Sequence, residues 1–162
     1  MLRITLIITG LLIILPSMVV ASSARDAVSL DKKWGIGINY PGLGLKYKIN
    51  SKNTVEIRTQ LEKDIFIIGS RYYYNFSLKD KLVLFCGGEA DHLRFKGRVS
   101  EGAGIAILAF IGGEYLTTPD FGVSLDIGPA CLSLKDRDTG EMEKGIDFVL
   151  NLGLTYYFGG NK

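Results

Sequence analysis

The chain of 162 residues is long enough for one domain, and its 19 basic and 17 acidic residues leave a formal net charge of +2. Because the chain is nearly neutral and has no basic block, we expect no nucleic-acid partner. Its two cysteines, Cys86 and Cys131, are too few and too far apart for a disulfide scaffold. We interpret them as unpaired thiols at apolar strand positions.

The N-terminal segment has the three parts of a secretory signal peptide. Arg3 places a positive charge beside the N-terminus, a long apolar run follows, and small residues precede Arg25. The apolar run is short for a membrane-spanning helix and contains Pro16 near its end, which argues against an uncleaved anchor. We therefore predict a signal peptide at residues 1–24, cleaved after Ala24 or, as a second choice, after Ser23.

Beyond this segment, apolar residues recur at every second position, which predicts strands with two different faces. The clearest alternation lies near the C-terminus, where Phe148 and Leu150 alternate with Asp147 and Asn151. Eight such runs are present: 34–40, 43–49, 55–61, 66–76, 82–94, 104–116, 121–132 and 146–158. We therefore predict that residues 25–162 form a single all-β domain, an antiparallel up-and-down barrel of eight strands.

Short polar segments rich in turn residues separate these runs. The last of them, 136–145, is the longest and is expected to be a polar loop. Pro41 and Gly42 are interpreted as a turn. If they were a kink instead, residues 34–49 would form one strand and the count would fall to seven.

Alternation alone does not tell whether the apolar face points into the barrel or out to lipid. Two features favour lipid. The polar faces are rich in glycine, which weakens a solvated strand but suits the narrow interior of an eight-stranded barrel. Aromatic residues concentrate near strand ends, as in the girdles of membrane barrels. The predicted girdle and lipid-facing residues are Trp34, Tyr40, Tyr47, Phe66, Tyr74, Phe76, Tyr156 and Phe158.

These features predict a barrel in a bacterial outer membrane, with the lipid bilayer as its main partner and a monomeric state. An even number of strands brings both termini to one side, which we assign to the periplasm. The segment 136–145 then falls on the outer side, in agreement with short periplasmic turns and longer outer loops.

Charged residues of both signs collect on the polar faces. They are Lys46, Lys48, Glu56, Arg58, Arg71, Glu89, Asp91, Glu114, Asp126 and Asp147. In an enzyme, such carboxylates could form an acid–base pair. In a narrow barrel they are better explained as a network of ion pairs that fills the lumen, because buried charges must be paired. We therefore expect a plugged barrel without catalysis.

Two other functions remain open at this point. A soluble periplasmic barrel of the lipocalin kind would bind a small apolar ligand, with its apolar faces inward and Lys46, Arg58 and Glu89 outward. A barrel enzyme that modifies lipid A would depend on His92, the only histidine, acting with a serine. We expect no metal and no cofactor, since one histidine and two separated cysteines make no ligand set.

Three segments resemble the strands of small OmpA-type or OmpX-type β-barrel domains. They are Arg71-Tyr72-Tyr73-Tyr74-Asn75-Phe76, Gly112-Gly113-Glu114-Tyr115 and the closing Gly153-Leu154-Thr155-Tyr156-Tyr157-Phe158. The resemblance implies an outer-membrane barrel with a structural or interaction role, whose last strand is recognised by the barrel assembly machinery. One departure is that four residues follow Phe158, whereas the aromatic signal usually ends the chain.

Overall fold

The computed structural model describes residues 32–40, 42–79, 81–96 and 101–159, and every regular element among them is a strand. The predicted signal peptide and its cleavage sites lie outside these residues. The strands are β1 (Trp34–Asn39), β2 (Gly42–Lys48), β3 (Asn53–Glu62), β4 (Ile65–Lys79), β5 (Leu82–Lys96), β6 (Glu101–Thr118), β7 (Phe121–Asp136) and β8 (Met142–Phe158). In the described part of the chain, no helix has the length and apolar character to cross a membrane.

The strands form one closed barrel in sequence order. Each strand pairs antiparallel with the next, and β1 pairs with β8 to close the sheet. The eight-stranded antiparallel barrel expected from the alternation, and from the resemblance to small outer-membrane barrel domains, is thereby confirmed. We call the end that holds Trp34 and Phe158 the terminal rim and the other end the opposite rim.

The chain reverses direction between β1 and β2. Asn39 pairs with Gly42 and Ile38 with Leu43, so residues 34–49 form two paired strands. The seven-stranded alternative is therefore wrong, and Gly42 begins β2; Pro41 itself lies outside the described residues.

The strands differ greatly in length, which the alternation did not predict. β1 and β2 have 6 and 7 residues, whereas β4 to β8 have 15 to 18. β8 continues past Gly153, the partner of Asn39, as far as Met142. We call β4 to β8 the tall wall. It rises above the β1–β2 hairpin at the opposite rim.

The segment 136–145, expected to be a loop, is half strand, because β7 ends at Asp136 and β8 begins at Met142. Backbone pairing between β7 and β8 continues to Lys135 and Met142, although the residues there no longer alternate apolar with polar. Only a five-residue turn remains. It is stabilised by the Asp136 carboxylate, which accepts hydrogen bonds from the backbone N–H groups of Asp138 (2.7 Å) and Thr139 (3.0 Å). Gly140 supplies a positive φ of 73°.

The two faces of the sheet are the reverse of those of a water-soluble barrel. Large apolar side chains point outward, with Ile107 and Leu150 61% and 63% exposed. Charged side chains point inward, with Glu56 and Arg71 only 1% and 2% exposed. The lipocalin-like alternative needed Lys46, Arg58 and Glu89 on the outside, but all three are buried. That orientation of the faces is wrong for this chain.

Candidate functional site

The lumen is crossed by a network of buried ion pairs centred on Arg71 of β4. Its Nη2 and Nη1 atoms donate to the two carboxylate oxygens of Asp126, at 2.7 and 3.2 Å. Its Nε atom lies 2.9 Å from Glu89, and Glu89 also pairs with Arg58 at 2.9 Å. These contacts join β3, β4, β5 and β7 across the interior, in the bidentate geometry that favours arginine.

A second part of the network surrounds Glu56 of β3. Its carboxylate accepts hydrogen bonds from the Asn39 amide, at 2.6 Å, and from the Tyr73 hydroxyl. The Tyr73 hydroxyl in turn accepts one from Arg71, at 3.2 Å. Glu56 has no cation within ion-pair distance among the described residues, so hydrogen-bond donors satisfy its charge.

The third part lies nearer the terminal rim. The Tyr157 hydroxyl donates to the Glu114 carboxylate, with O–O distances of 2.7 and 2.8 Å. Lys46 donates to the Thr155 hydroxyl at 3.1 Å, and its Nζ atom lies 3.7 Å from Glu114. Lys48 lies over the Tyr157 ring, 3.9 Å from its centroid.

Nine of the ten charged residues expected in the lumen point inward. Asp91 lies on the inner face of β5, two residues from Glu89, and is half-buried. Asp147 departs from the expectation. It has the inward parity, but it lies on β8 beyond Gly153, the last residue paired with β1, so β1 does not flank it. Its side chain is exposed, and among the described residues its carboxylate accepts a hydrogen bond from the backbone N–H of Phe148.

Five members of the network were not singled out from the sequence. They are Asn39, Tyr73, Asn151, Thr155 and Tyr157, all buried. Each has the same parity as a charged residue on its own strand or stands on a polar face. The alternation of inward and outward positions could therefore have identified these five residues, if neutral hydrogen-bonding side chains had been considered together with the charged ones.

Glycines on the inner face make room for this network. A methyl group at Gly44 would overlap the Glu56 carboxylate, and one at Gly69 would overlap the Asp91 carboxylate. Gly69 pairs directly with Asp91, and Gly44 lies diagonally across from Glu56 on the neighbouring strand. The glycines of the polar faces thus leave room for the carboxylates of neighbouring strands, as expected for a narrow barrel.

Buried apolar side chains pack inside the lumen on both sides of the Arg71 pairs. Tyr73, Phe85 and Phe110 form one buried cluster, and the Arg71 guanidinium lies 4.0 Å from the Phe110 ring centroid. A second cluster, built on Ala106, Leu108 and Ala130, lies towards the opposite rim. Between the first cluster and the terminal rim is a cavity of about 270 Å³, lined by polar groups that include Lys46, Lys48 and Glu114.

The aromatic residues expected in girdles all lie on the outer face. Six of them lie towards the terminal rim: Trp34, Tyr47, Tyr74, Phe76, Tyr156 and Phe158. Trp34 contacts Tyr47, with ring centroids 4.7 Å apart. Tyr40 and Phe66 lie towards the opposite rim, beside the turns that follow β1 and β3. All are exposed except Tyr47, which is half-buried.

His92 offers no arrangement for nucleophilic catalysis in the described part of the chain. It is exposed on the outer face of β5, and its paired neighbours are Ile68 and Ile105. No hydrogen bond or ion pair joins it to a described serine or carboxylate. No group of three or more potential metal ligands occurs among the described residues.

Comparison with known proteins adds a likeness of fold. No protein-family model matches the chain, and no curated protein matches it in sequence. Among solved structures, the crystal structure of Neisserial surface protein A is similar, with a TM-score of 0.49 and 15% sequence identity. The likeness covers 77% of this chain and 92% of that one.

Proposed function

We propose that this chain is an outer-membrane β-barrel protein with a structural or interaction role and no catalytic activity. The observation that carries the proposal is the inverted arrangement of its faces. A belt of exposed Ile, Leu, Val and aromatic side chains surrounds a closed sheet, while the charges are buried inside. In water such a surface would drive aggregation, whereas in a bilayer it is the favourable arrangement.

The height of the apolar belt suits a bilayer. On β6 the outward residues are apolar or glycine from Ile105 to Tyr115, a length close to the roughly nine to eleven residues of a tilted spanning strand. Pairing of β1 with β8 closes the sheet, so every strand is paired on both sides along part of its length. Both properties are required of a strand-built membrane protein.

The packed lumen supports a structural or interaction role over transport. Ion pairs around Arg71 and the cluster of Tyr73, Phe85 and Phe110 occupy the lumen. Within this proposal, the N-terminal segment directs export, the termini face the periplasm, and the assembly machinery recognises β8. The exposed apolar side chains then need no second copy to cover them, which is consistent with a monomer.

The test is fractionation of a Gram-negative host that expresses the full chain, followed by gel electrophoresis with and without boiling. We expect the protein in the outer-membrane fraction. We also expect a change in mobility on boiling, because a closed barrel resists detergent until it is heated. Recovery from the soluble periplasm without any mobility change would overturn the proposal.

A further inference from the structure

The outer face of the tall wall changes from apolar to basic towards the opposite rim. On β5, the outward residues are apolar or glycine up to Ala90 and are then His92, Arg94 and Lys96. On β7 and β8, the apolar outward residues give way to Lys135 and Lys144. The terminal rim ends in exposed aromatic residues instead.

Strand register brings three of these cations together. Arg94 pairs with Ala103, and Ala103 pairs with Lys135, so Arg94 and Lys135 stand two strand spacings apart, or about 10 Å between backbones. Lys144 is the diagonal neighbour of Lys135, since Lys135 pairs with Met142, at about 7–8 Å. Ala103 leaves the space between Arg94 and Lys135 open. We call Arg94, Lys135 and Lys144 the basic cluster.

The charges of the basic cluster are not neutralised by the described part of the chain. All three side chains are exposed, and none forms an ion pair with another described residue. Glu101 is the outward carboxylate at this level, and it lies near two other cations, Lys96 at 4.0 Å and Arg137 at 3.7 Å. The cluster therefore remains free to bind an anion from outside.

We propose that the basic cluster binds the phosphate group of a lipid in the surrounding leaflet, an inference that rests on the proposed membrane location. A guanidinium fork and two ammonium groups match the oxygen atoms of a phosphate. The apolar surface directly below, which includes Ile105, Ile146 and Phe148, offers contact for acyl chains. A lipid gains both contacts at once, whereas free phosphate gains only the ionic one. The site therefore selects a phosphate that is attached to acyl chains.

The test measures lipid binding by the full barrel, refolded in a non-ionic detergent, using native mass spectrometry. The lipids are phosphatidic acid and phosphatidylcholine, added separately at equal concentration. The cluster variant carries Arg94→Gln, Lys135→Gln and Lys144→Gln. The matched control removes three exposed cations near the terminal rim, by Lys33→Gln, Lys52→Gln and Lys81→Gln.

We expect the wild type and the matched control to bind phosphatidic acid in preference to phosphatidylcholine. The cluster variant should bind phosphatidic acid about tenfold more weakly. Equal binding by the two variants would overturn the proposal. Displacement of phosphatidic acid by an equal concentration of inorganic phosphate would also overturn it, since the site would then select free phosphate.

The mobility change on boiling, measured on the same samples, reports barrel closure independently of the cluster. A cluster variant that keeps this change and still binds phosphatidic acid refutes the lipid site alone. Absence of the change in the wild type refutes the proposed function itself.

Discussion

The guanidinium group of Arg71 holds carboxylates from two different strands, Glu89 of β5 and Asp126 of β7. All three side chains are almost fully buried. Taking one charge out of such a pair is far more harmful than replacing the whole pair, because the partner charge stays buried without compensation. Arg71 is therefore the lumen residue whose loss should destabilise the barrel most.

Replacement of this cation tests the role of the network. Arg71→Met keeps much of the side-chain length and removes the charge, so Glu89 loses one of its two cations and Asp126 loses its ion pair. We expect the free energy of unfolding to fall by about 3–5 kcal/mol. The measurement is urea unfolding of the barrel in lipid vesicles, followed by Trp34 fluorescence and by mobility on gels.

The matched control is Arg137→Ala, which removes an exposed cation 3.7 Å from Glu101. An exposed pair of this kind contributes at most about 1 kcal/mol. If Arg71→Met and Arg137→Ala unfold at the same urea concentration, the buried network does not stabilise the barrel.

At the level of single elements, β8 carries the longest outward apolar series in the wall, from Ile146 to Phe158. Its middle lies at Leu152, and Met142 lies beyond its end. The cost of a charge on a lipid-facing strand depends on depth, at about 2–4 kcal/mol near the bilayer centre and about 0–1 near the interface. Charged substitutions at different positions along β8 therefore report where the bilayer centre and the interface lie.

We expect Leu152→Arg to abolish or sharply reduce assembly and Met142→Arg to leave it nearly unchanged. Leu150→Arg should behave like Leu152→Arg. The readout is the fraction of protein in the outer membrane that changes mobility on boiling. Equal assembly of the Leu152→Arg and Met142→Arg variants would mean that β8 does not face lipid.

The strands themselves were predictable because a period of two is imposed on every strand with unlike faces. The upper ends of β6, β7 and β8 were not, because backbone pairing continues there through polar residues such as Ser133 and Lys135. Parity placed the charges together on one face, and the glycines on that face and the aromatic residues near strand ends indicated that it points inward. The exposure of Asp147 did not follow from parity, since it depends on the short length of β1, a strand far away in sequence.

At the scale of the whole molecule, the barrel is asymmetric around its axis. The short strands β1 and β2 form the low side of the barrel. The tall wall carries the basic cluster on its outer face and the apolar cluster of Ala106, Leu108 and Ala130 on its inner face. The closing seam lies on the low side and has only six residue pairs, from Trp34–Phe158 to Asn39–Gly153. Closure of the barrel depends on this short seam, because an open edge in a bilayer would leave backbone groups unpaired at several kcal/mol each.

A disulfide across the seam tests closure and register together. Ile38 pairs with Leu154, and both side chains point outward, 59% and 41% exposed. Directly opposed residues have Cβ atoms about 4.5–5.5 Å apart, close enough for a disulfide after small adjustments. In a background with Cys86→Ala and Cys131→Ala, we expect Ile38→Cys with Leu154→Cys to form a disulfide in the assembled protein, measured by loss of reaction with a maleimide.

The off-register control is Ile38→Cys with Leu150→Cys, which moves one thiol about 13 Å along β8. Reactive thiols in both variants would mean that β1 does not close the barrel in this register, whereas protection in both would mean that the seam slides.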